Sequence, residues 1–284
     1  MADTITGTQL ATTKATLISQ MVQKELAFKA KLMGYVTDVS AMALPGHDTI
    51  KFPKLTSFTV VDRTEGVAGE RSALTSSVDS LLLDINAYVS WGIDSMTVAQ
   101  SNINAELEFA RYAAAAQARF VDEKIIALMR SVAASFVNVG ADVDVTYANL
   151  LTMLEAIEVA DGEVSDCAWI ISPKQKNILM NIAEIKNWNQ FGQATMPSGV
   201  IGNILGVPVV MHNGLASKEL FLVEKSSIAV GFQKNAAYGE ESAIELGVGA
   251  KRAAVDQLFG LAGMQLGLKG AGATKSPLLV GLND

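Results

Sequence analysis

The stretch SMTVAQSNINAELEFARYAAAAQARFVDEKIIALMRSVAAS, residues 95–135, decides the fold because it predicts one long helix without a proline. Its apolar residues recur in steps of three and four, which places them on one stripe: Ile103, Leu107, Ala110, Ala114, Ala118, Val121, Ile125, Leu128 and Val132. At about 1.5 Å per residue this helix is roughly 60 Å long, whereas a compact globule of this chain length is about 50 Å across. The sequence therefore predicts a flat or elongated subunit whose neighbours cover apolar surface.

Composition also favours contacts between subunits. Charged residues make up 18% of the 284 residues and apolar residues 50%, whereas soluble proteins average roughly 25% charged residues. No run reaches the roughly 18 uninterrupted apolar residues of a membrane span, and the start, MADTITGTQL, lacks the features of a secretory signal. The formal charge of -7 argues against a surface devoted to gripping nucleic acid, although local contacts remain compatible with it. We predict no membrane association.

A long β-hairpin is predicted before the helix. From Leu81 to Ile93 every second residue is apolar, which is typical of a strand, and residues 50–61 can pair with it. Pro53 restricts that partner strand to an edge or an interruption. A projecting two-stranded ribbon implies a partner surface, because it is at best marginally stable alone. Its tip is charged, and two interpretations carry equal weight, a solvated turn or an intersubunit ion-pair site formed by Arg63, Glu65, Glu70 and Arg71.

After the helix the pattern becomes that of an α/β region. Helices are predicted at 147–160 and from Pro173, and strands at 167–171, 207–211, 220–223, 228–232, 242–248 and around 255–264.

Residues with catalytic potential are few. His47 and His212 are the only histidines and have no metal-binding spacing. Cys167, the single cysteine, could act as a nucleophile with His212 as base, but its apolar surroundings, CAWII, favour a core thiol. The Gly-rich tail at 270–276 lacks the spacing of a phosphate-binding loop. We predict no catalytic residue, cofactor or metal, and therefore not an enzyme.

The order of these elements resembles the major capsid proteins of tailed bacteriophages, which have the α+β Hong Kong 97-type fold. Three segments carry the resemblance: AQSNINAELEFARYAAAAQARFVD (99–122), ISPKQ (171–175) leading into a helix, and GNILGVPVV (202–210). Their joint order along the chain is more specific than any one of them.

The resemblance implies a division of the chain into an N-terminal arm (1–45), an extended β-hairpin loop (46–94), the spine helix of a peripheral domain (95–140), an axial domain (141–232) and a return to the peripheral domain with a C-terminal tail (233–284). The extended loop would overlap an adjacent subunit. Residues 187–206 become a candidate loop at the fivefold and sixfold axes, with candidate contacts at Asn187, Gln190, Phe191 and Gln193. Some family members join subunits through a lysine of the extended loop, but residues 55–83 contain no lysine, so we do not expect that bond.

The implied function is that of a structural subunit. Many copies would form hexamers and pentamers of an icosahedral shell around double-stranded DNA, assembled in the host bacterial cytoplasm and located in the virion. Portal and scaffolding proteins, a decoration protein and weak local contacts with the packaged DNA are implied partners. Three alternatives stay open: an encapsulin-type shell around protein cargo, a soluble α/β hydrolase using Cys167, and an elongated surface or filament protein.

Overall fold

The computed structural model describes residues 16–25, 30–55, 62, 65, 76–94, 105–133, 144–159, 162–182, 200–246, 248–263 and 279–282. The helices in this part of the chain are α1 (16–25), α2 (Ala105–Ala133), α3 (Tyr147–Val159) and α4 (Pro173–Leu179). The strands are β1 (Thr37–Asp38), β2 (Thr49–Leu55), β3 (Ser76–Leu82), β4 (Ile85–Ile93), β5 (Cys167–Ile171), β6 (Val200–Ile204), β7 (Val207–Met211), β8 (Leu220–Glu224), β9 (Ile228–Ser242), β10 (Lys251–Gly263) and β11 (Leu279–Leu282).

The long helix α2 spans 29 residues, or roughly 44 Å at the usual rise. Its predicted extensions, residues 95–104 and 134–135, lie outside the described residues. The predicted stripe is buried from Ala110 to Ile125. The buried surface is wider than one stripe, because Ile126 and Met129 are buried as well. A helix with so wide a buried arc must pack against more than one layer.

Two sheets supply those layers. The first has four strands in the order β1-β9-β10-β4 and is built on the long antiparallel pair β9 and β10. Its inner face packs against the amino-terminal half of α2, where Ala114 and Ala118 meet Tyr238 and Val255. Helix α1 joins this cluster through Val22. Alanines on the helix allow the sheet and α1 to approach closely.

The second sheet has five strands in the order β11-β8-β5-β7-β6. One face contributes Ile170 and Phe221 to a cluster with Ile125 of α2, and the other packs Trp169 against Met153 of α3. Strand β5 is buried throughout, which explains why CAWII is continuously apolar rather than alternating. The helices and strands predicted between 147 and 232 are present, but residues 200–204 of the predicted loop 187–206 form strand β6, which pairs with β7.

The predicted hairpin is only partly correct. Strand β2 pairs with β3, while β4 leaves the ribbon and pairs with β10 of the four-stranded sheet. The chain changes sheets at Leu83 and Asp84, which separate β3 from β4. Leu81 and Leu83 are buried in the ribbon cluster, and Ala87 is buried against α2. The apolar alternation from Leu81 to Ile93 continues across the break between β3 and β4. It does so because β3 buries one face in the ribbon cluster and β4 buries one face against α2.

The base of the ribbon is fixed to the body. Ile50 and Leu81 pack against Val39 and Ala229 in one cluster, and the Leu83 N–H donates to the Asp48 carbonyl at 2.8 Å. The ribbon therefore leaves the body in a defined direction.

Three elements near the carboxyl terminus differ from expectation. Residues 242–248 were predicted as a strand, but β9 ends at Ser242 and a short 3-10 turn follows at Ile244–Leu246. Two apolar side chains in this segment are exposed, Ile244 by 79% and Val248 by 94%. Strand β9 begins at Ile228 as predicted but continues past 232 to Ser242 within the four-stranded sheet, and β11 pairs with β8 of the other sheet. The division into domains stays a prediction.

Candidate assembly surfaces

The outer face of the ribbon exposes apolar side chains in the single chain, on either side of the exposed polar pair Lys51 and Ser80. Phe52 and Leu81 face the body and are buried, whereas Val78 and Leu82 are 58% and 55% exposed. Pro53 lies opposite Val78 and is exposed too. Exposed apolar side chains on a marginally stable two-stranded element favour contact with a partner surface.

The amino-terminal half of α2 also exposes aromatic side chains. Phe109 and Tyr112 lie one turn apart and are 41% and 70% exposed, while Ala110 and Ala114 are buried against the sheet and α1. Aromatic residues are enriched at the centres of protein interfaces. This ridge is a second candidate contact surface.

The residues proposed from the sequence for contacts fall mainly outside the described residues. Glu65 is described and occupies an exposed turn position. The other members of both sets lie outside the described residues, namely Arg63, Glu70 and Arg71 of the predicted hairpin tip and Asn187, Gln190, Phe191 and Gln193 of the candidate axial loop. Both sets stay predictions.

The carboxyl-terminal half of α2 is tied to the β7–β8 loop, residues 212–219, by a bidentate ion pair. Arg130 donates from Nε to Glu219 Oε1 at 2.6 Å and from Nη2 to Glu219 Oε2 at 2.8 Å. The same Nη2 donates to the Gly214 carbonyl, and Glu219 Oε2 accepts the Ala216 N–H. The hydrogen bond with Glu219 raises the pKa of Arg130. Paired in this way, the buried Glu219 carboxylate fixes the loop against the helix.

The segment ISPKQ holds the other side of this loop. Ser172 caps α4 by accepting the Gln175 N–H, and Pro173 takes the first helical position, where its missing N–H costs nothing. The Ser172 hydroxyl then donates to the Ser217 carbonyl at 2.7 Å, and Gln175 Nε2 donates to the Lys218 carbonyl at 2.7 Å.

Asp122 on α2 is a buried carboxylate that the sequence interpretation missed. It accepts hydrogen bonds from the backbone N–H groups of Lys31 and Leu32 and from His212 Nε2. A signal was present, because Asp122 continues the row Ala110, Ala114 and Ala118 in steps of four and thus falls on a buried face.

The pairing of Cys167 with His212 as nucleophile and base is wrong. Cys167 begins β5, whereas His212 follows the end of the parallel neighbour β7, so roughly 15 Å of strand separates them. The Cys167 thiol is buried and donates to the Glu163 carbonyl at 3.4 Å. Burial raises the pKa of this thiol to about 12, which keeps it protonated and unreactive. His212 is engaged by Asp122 instead.

Within the described ranges, no cluster of three or more His, Cys, Asp or Glu side chains could hold a metal ion. Among those same residues, no helix has both the length and the apolar character needed to cross a membrane.

No protein-family model matches the chain, and no curated protein sequence matches it either. Similarity emerges at the level of structure. A chain from Mycobacterium phage Che8 superposes with a TM-score of 0.67 at 15% identity, covering 89% of this chain and 91% of that chain.

Two cyanophage capsid structures agree. The capsid of Cyanophage P-SCSP1u gives a TM-score of 0.67 at 13% identity and covers 88% of this chain and 86% of that chain. The capsid asymmetric unit of Cyanophage Pam1 gives a TM-score of 0.67 at 12% identity and covers 90% of this chain and 92% of that chain. The chain therefore has the fold of phage capsid proteins, the α+β Hong Kong 97-type fold that the order of its elements predicted.

Proposed function

We propose that this protein is the major capsid protein of a tailed bacteriophage and that many copies assemble as hexamers and pentamers into an icosahedral shell around double-stranded DNA. The observation that carries the proposal is the extent of the structural likeness, which spans nearly the whole of this chain and of each phage chain. A likeness limited to one domain would favour a shared building block, whereas full-length correspondence favours a shared role.

The exposed surfaces support assembly. The outer face of the ribbon, with Val78 and Leu82, and the aromatic ridge of Phe109 and Tyr112 present apolar groups to solvent in the single chain. Each apolar Å² that a neighbour covers contributes about 25 cal/mol. Repeated around a closed shell, modest contacts on each subunit offset the entropic cost of association.

Further partners belong to the same proposal. A portal protein and a scaffolding protein would act during assembly in the host cytoplasm, and a decoration protein would reinforce the shell of the virion. The net charge of -7 is consistent with a shell that makes only weak local contacts with packaged DNA, because binding to phosphates relies on Lys and Arg. The chain would not act as an enzyme. We assign residues 1–45, 46–94, 95–140, 141–232 and 233–284 to arm, extended loop, spine helix, axial domain and returning segment. Within this division β4 and the start of β9 contribute to the four-stranded sheet, and β11 contributes to the five-stranded sheet.

Electron microscopy of the purified protein, combined with particle mass from light scattering, tests the proposal. The protein should be expressed alone and then together with the neighbouring genes of its source. Closed shells of hundreds of subunits are the expected result. A small oligomer under both conditions contradicts the proposal, and tubes or flat arrays point to a filament or surface layer.

The contents of the shells distinguish two assignments. Double-stranded DNA in particles isolated from the source supports a phage capsid. A protein cargo without DNA would instead assign the chain to an encapsulin-type compartment.

A further inference from the structure

One carboxylate joins three separate parts of the chain. The Asp122 side chain is only 3% exposed. Its Oδ1 accepts the Leu32 N–H at 3.2 Å, and its Oδ2 lies 3.1 Å from both the Lys31 nitrogen and His212 Nε2. Asp122 therefore connects the strap, which we define as residues 30–36, with helix α2 and with the β7–β8 loop.

The protonation of His212 follows from its second contact. The Gly214 N–H donates to His212 Nδ1 at 3.0 Å, so Nδ1 acts as an acceptor and Nε2 carries the proton that is donated to Asp122. The loop is tight here, because a Cβ on Gly214 would lie 3.0 Å from the His212 ring and 3.1 Å from Ile126. His212 is thus a fixed donor.

The strap completes the burial of this carboxylate. Leu32 is fully buried in the same cluster as Val121, the neighbour of Asp122. A carboxylate can be removed from water at acceptable cost only when hydrogen bonds replace its hydration. His212 supplies one such bond from the body of the protein, and the strap brings the other two. Without His212, docking of the strap would bury a carboxylate that lacks one of its three donors.

We propose that docking of the strap and anchoring of the β7–β8 loop are coupled through Asp122. A docked strap excludes water and strengthens the bond between Asp122 and His212, since hydrogen bonds are stronger in a dry environment. By reciprocity, that bond must favour docking by the same factor. Displacement of the strap, by any partner that captures it, therefore weakens the bond between Asp122 and His212 and loosens the loop. This device is a property of the single chain and does not depend on the proposed shell.

Hydrogen exchange resolved to single amides tests the coupling. His212→Phe keeps an aromatic ring but loses both the donor to Asp122 and the acceptor for the Gly214 N–H. Exchange at Lys31 and Leu32 should then accelerate about fivefold or more, the lower end of typical coupling. His212→Gln, whose amide can still donate, should restore slow exchange. Unchanged exchange in His212→Phe would overturn the proposal.

The matched control is Arg130→Gln, which weakens the other anchor of the same loop without touching Asp122. Exchange at Lys31 and Leu32 should accelerate clearly less than in His212→Phe, because the His212 donor to Asp122 is retained. Equal acceleration in both variants would show that any loosening of the loop frees the strap, and the role of Asp122 would be refuted. The amides of β5 report global unfolding. If their exchange accelerated as much as that of Lys31 and Leu32 in His212→Phe, the role of Asp122 would also be refuted.

The reverse direction completes the test. Lys31→Pro removes one strap donor at an exposed side chain. Exchange of the Gly214 amide, which donates to His212, should then accelerate while β5 stays protected. A Gly214 amide that exchanges as in wild type would contradict reciprocal coupling.

Discussion

Gly260 of β10 lies directly beneath the Leu82 carbonyl of β3, so closely that a Cβ built on Gly260 would fall 1.9 Å from that oxygen. No side chain fits in this space, and the neighbour is backbone that cannot rotate away. The contact sets how near the base of the ribbon sits to the four-stranded sheet.

Gly260→Ala should therefore push the ribbon away from the sheet. We expect a loss of about 1–3 kcal/mol in the free energy of unfolding, as for other overpacked sites, together with impaired assembly. Thermal or denaturant unfolding and light scattering measure the two effects. Gly239→Ala is the matched control, because nothing lies within 4 Å of its added Cβ. Equal stability of the two variants would contradict the close packing.

The outer face of the ribbon should be needed for assembly and not for folding. Val78→Ser combined with Leu82→Ser removes two half-exposed apolar side chains, so stability should change by less than about 1 kcal/mol while the yield of assembled particles falls. Sedimentation measures the yield. Val159→Ser, at an exposed position on α3, is the control. An equal fall in particle yield for Val159→Ser would contradict a specific role of the ribbon in assembly.

The charged ribbon tip gives a second test of assembly. Charge reversal in Arg63→Glu or Arg71→Glu should impair assembly and leave the monomer folded, as judged by circular dichroism. Charge pairs exposed to solvent are screened by salt, so the defect should be largest at low ionic strength. Normal assembly of both variants would favour a simple solvated turn.

Glu224 gives a pH-dependent prediction. Burial raises the pKa of this carboxyl group, and its Oε2 has no hydrogen-bond partner among the described residues. A raised pKa in the folded state means that the contribution to stability is full at low pH and is lost as pH rises through that pKa. Glu224→Gln should therefore raise the melting temperature at pH 7.5.

The advantage of Glu224→Gln should shrink as the pH is lowered to 4, where the wild-type carboxyl group is protonated. Thermal unfolding between pH 4 and 8 measures this. Glu158→Gln, on the exposed side of α3, should show little change across the range. A variant that is less stable than wild type at pH 7.5 would mean that hydrogen bonds to the carboxylate outweigh its burial.

The sequence was most informative where structure is local. The helical stripe from Ala110 to Ile125, the buried run CAWII and the start of α4 at Pro173 each depend on spacing within a few residues, and each is confirmed. Periodicity reports that a face is buried, however, and not what covers it. That is why the transfer of the chain at Asp84 from the ribbon to the four-stranded sheet was missed.

Contacts between distant segments were equally out of reach. The pairing of β11 with β8 joins residues that are more than fifty positions apart, and the contact of Asp122 with the strap spans about ninety. Of the candidate surfaces, the ribbon was anticipated, but the aromatic ridge at Phe109 and Tyr112 was not. Those two residues fall between the positions of the apolar stripe, and their type alone does not say that they face solvent.

The two-residue step from β3 to β4 has a mechanical consequence. Leu83 and Asp84 leave no slack between the ribbon and β4, an edge strand that is hydrogen-bonded to β10 along its length. A force on the ribbon is therefore transmitted to the four-stranded sheet beneath α2, because no flexible linker separates β3 from β4. Load on β2 and β3 therefore passes through the close contact at Gly260 into β10, whose inner face packs against α2.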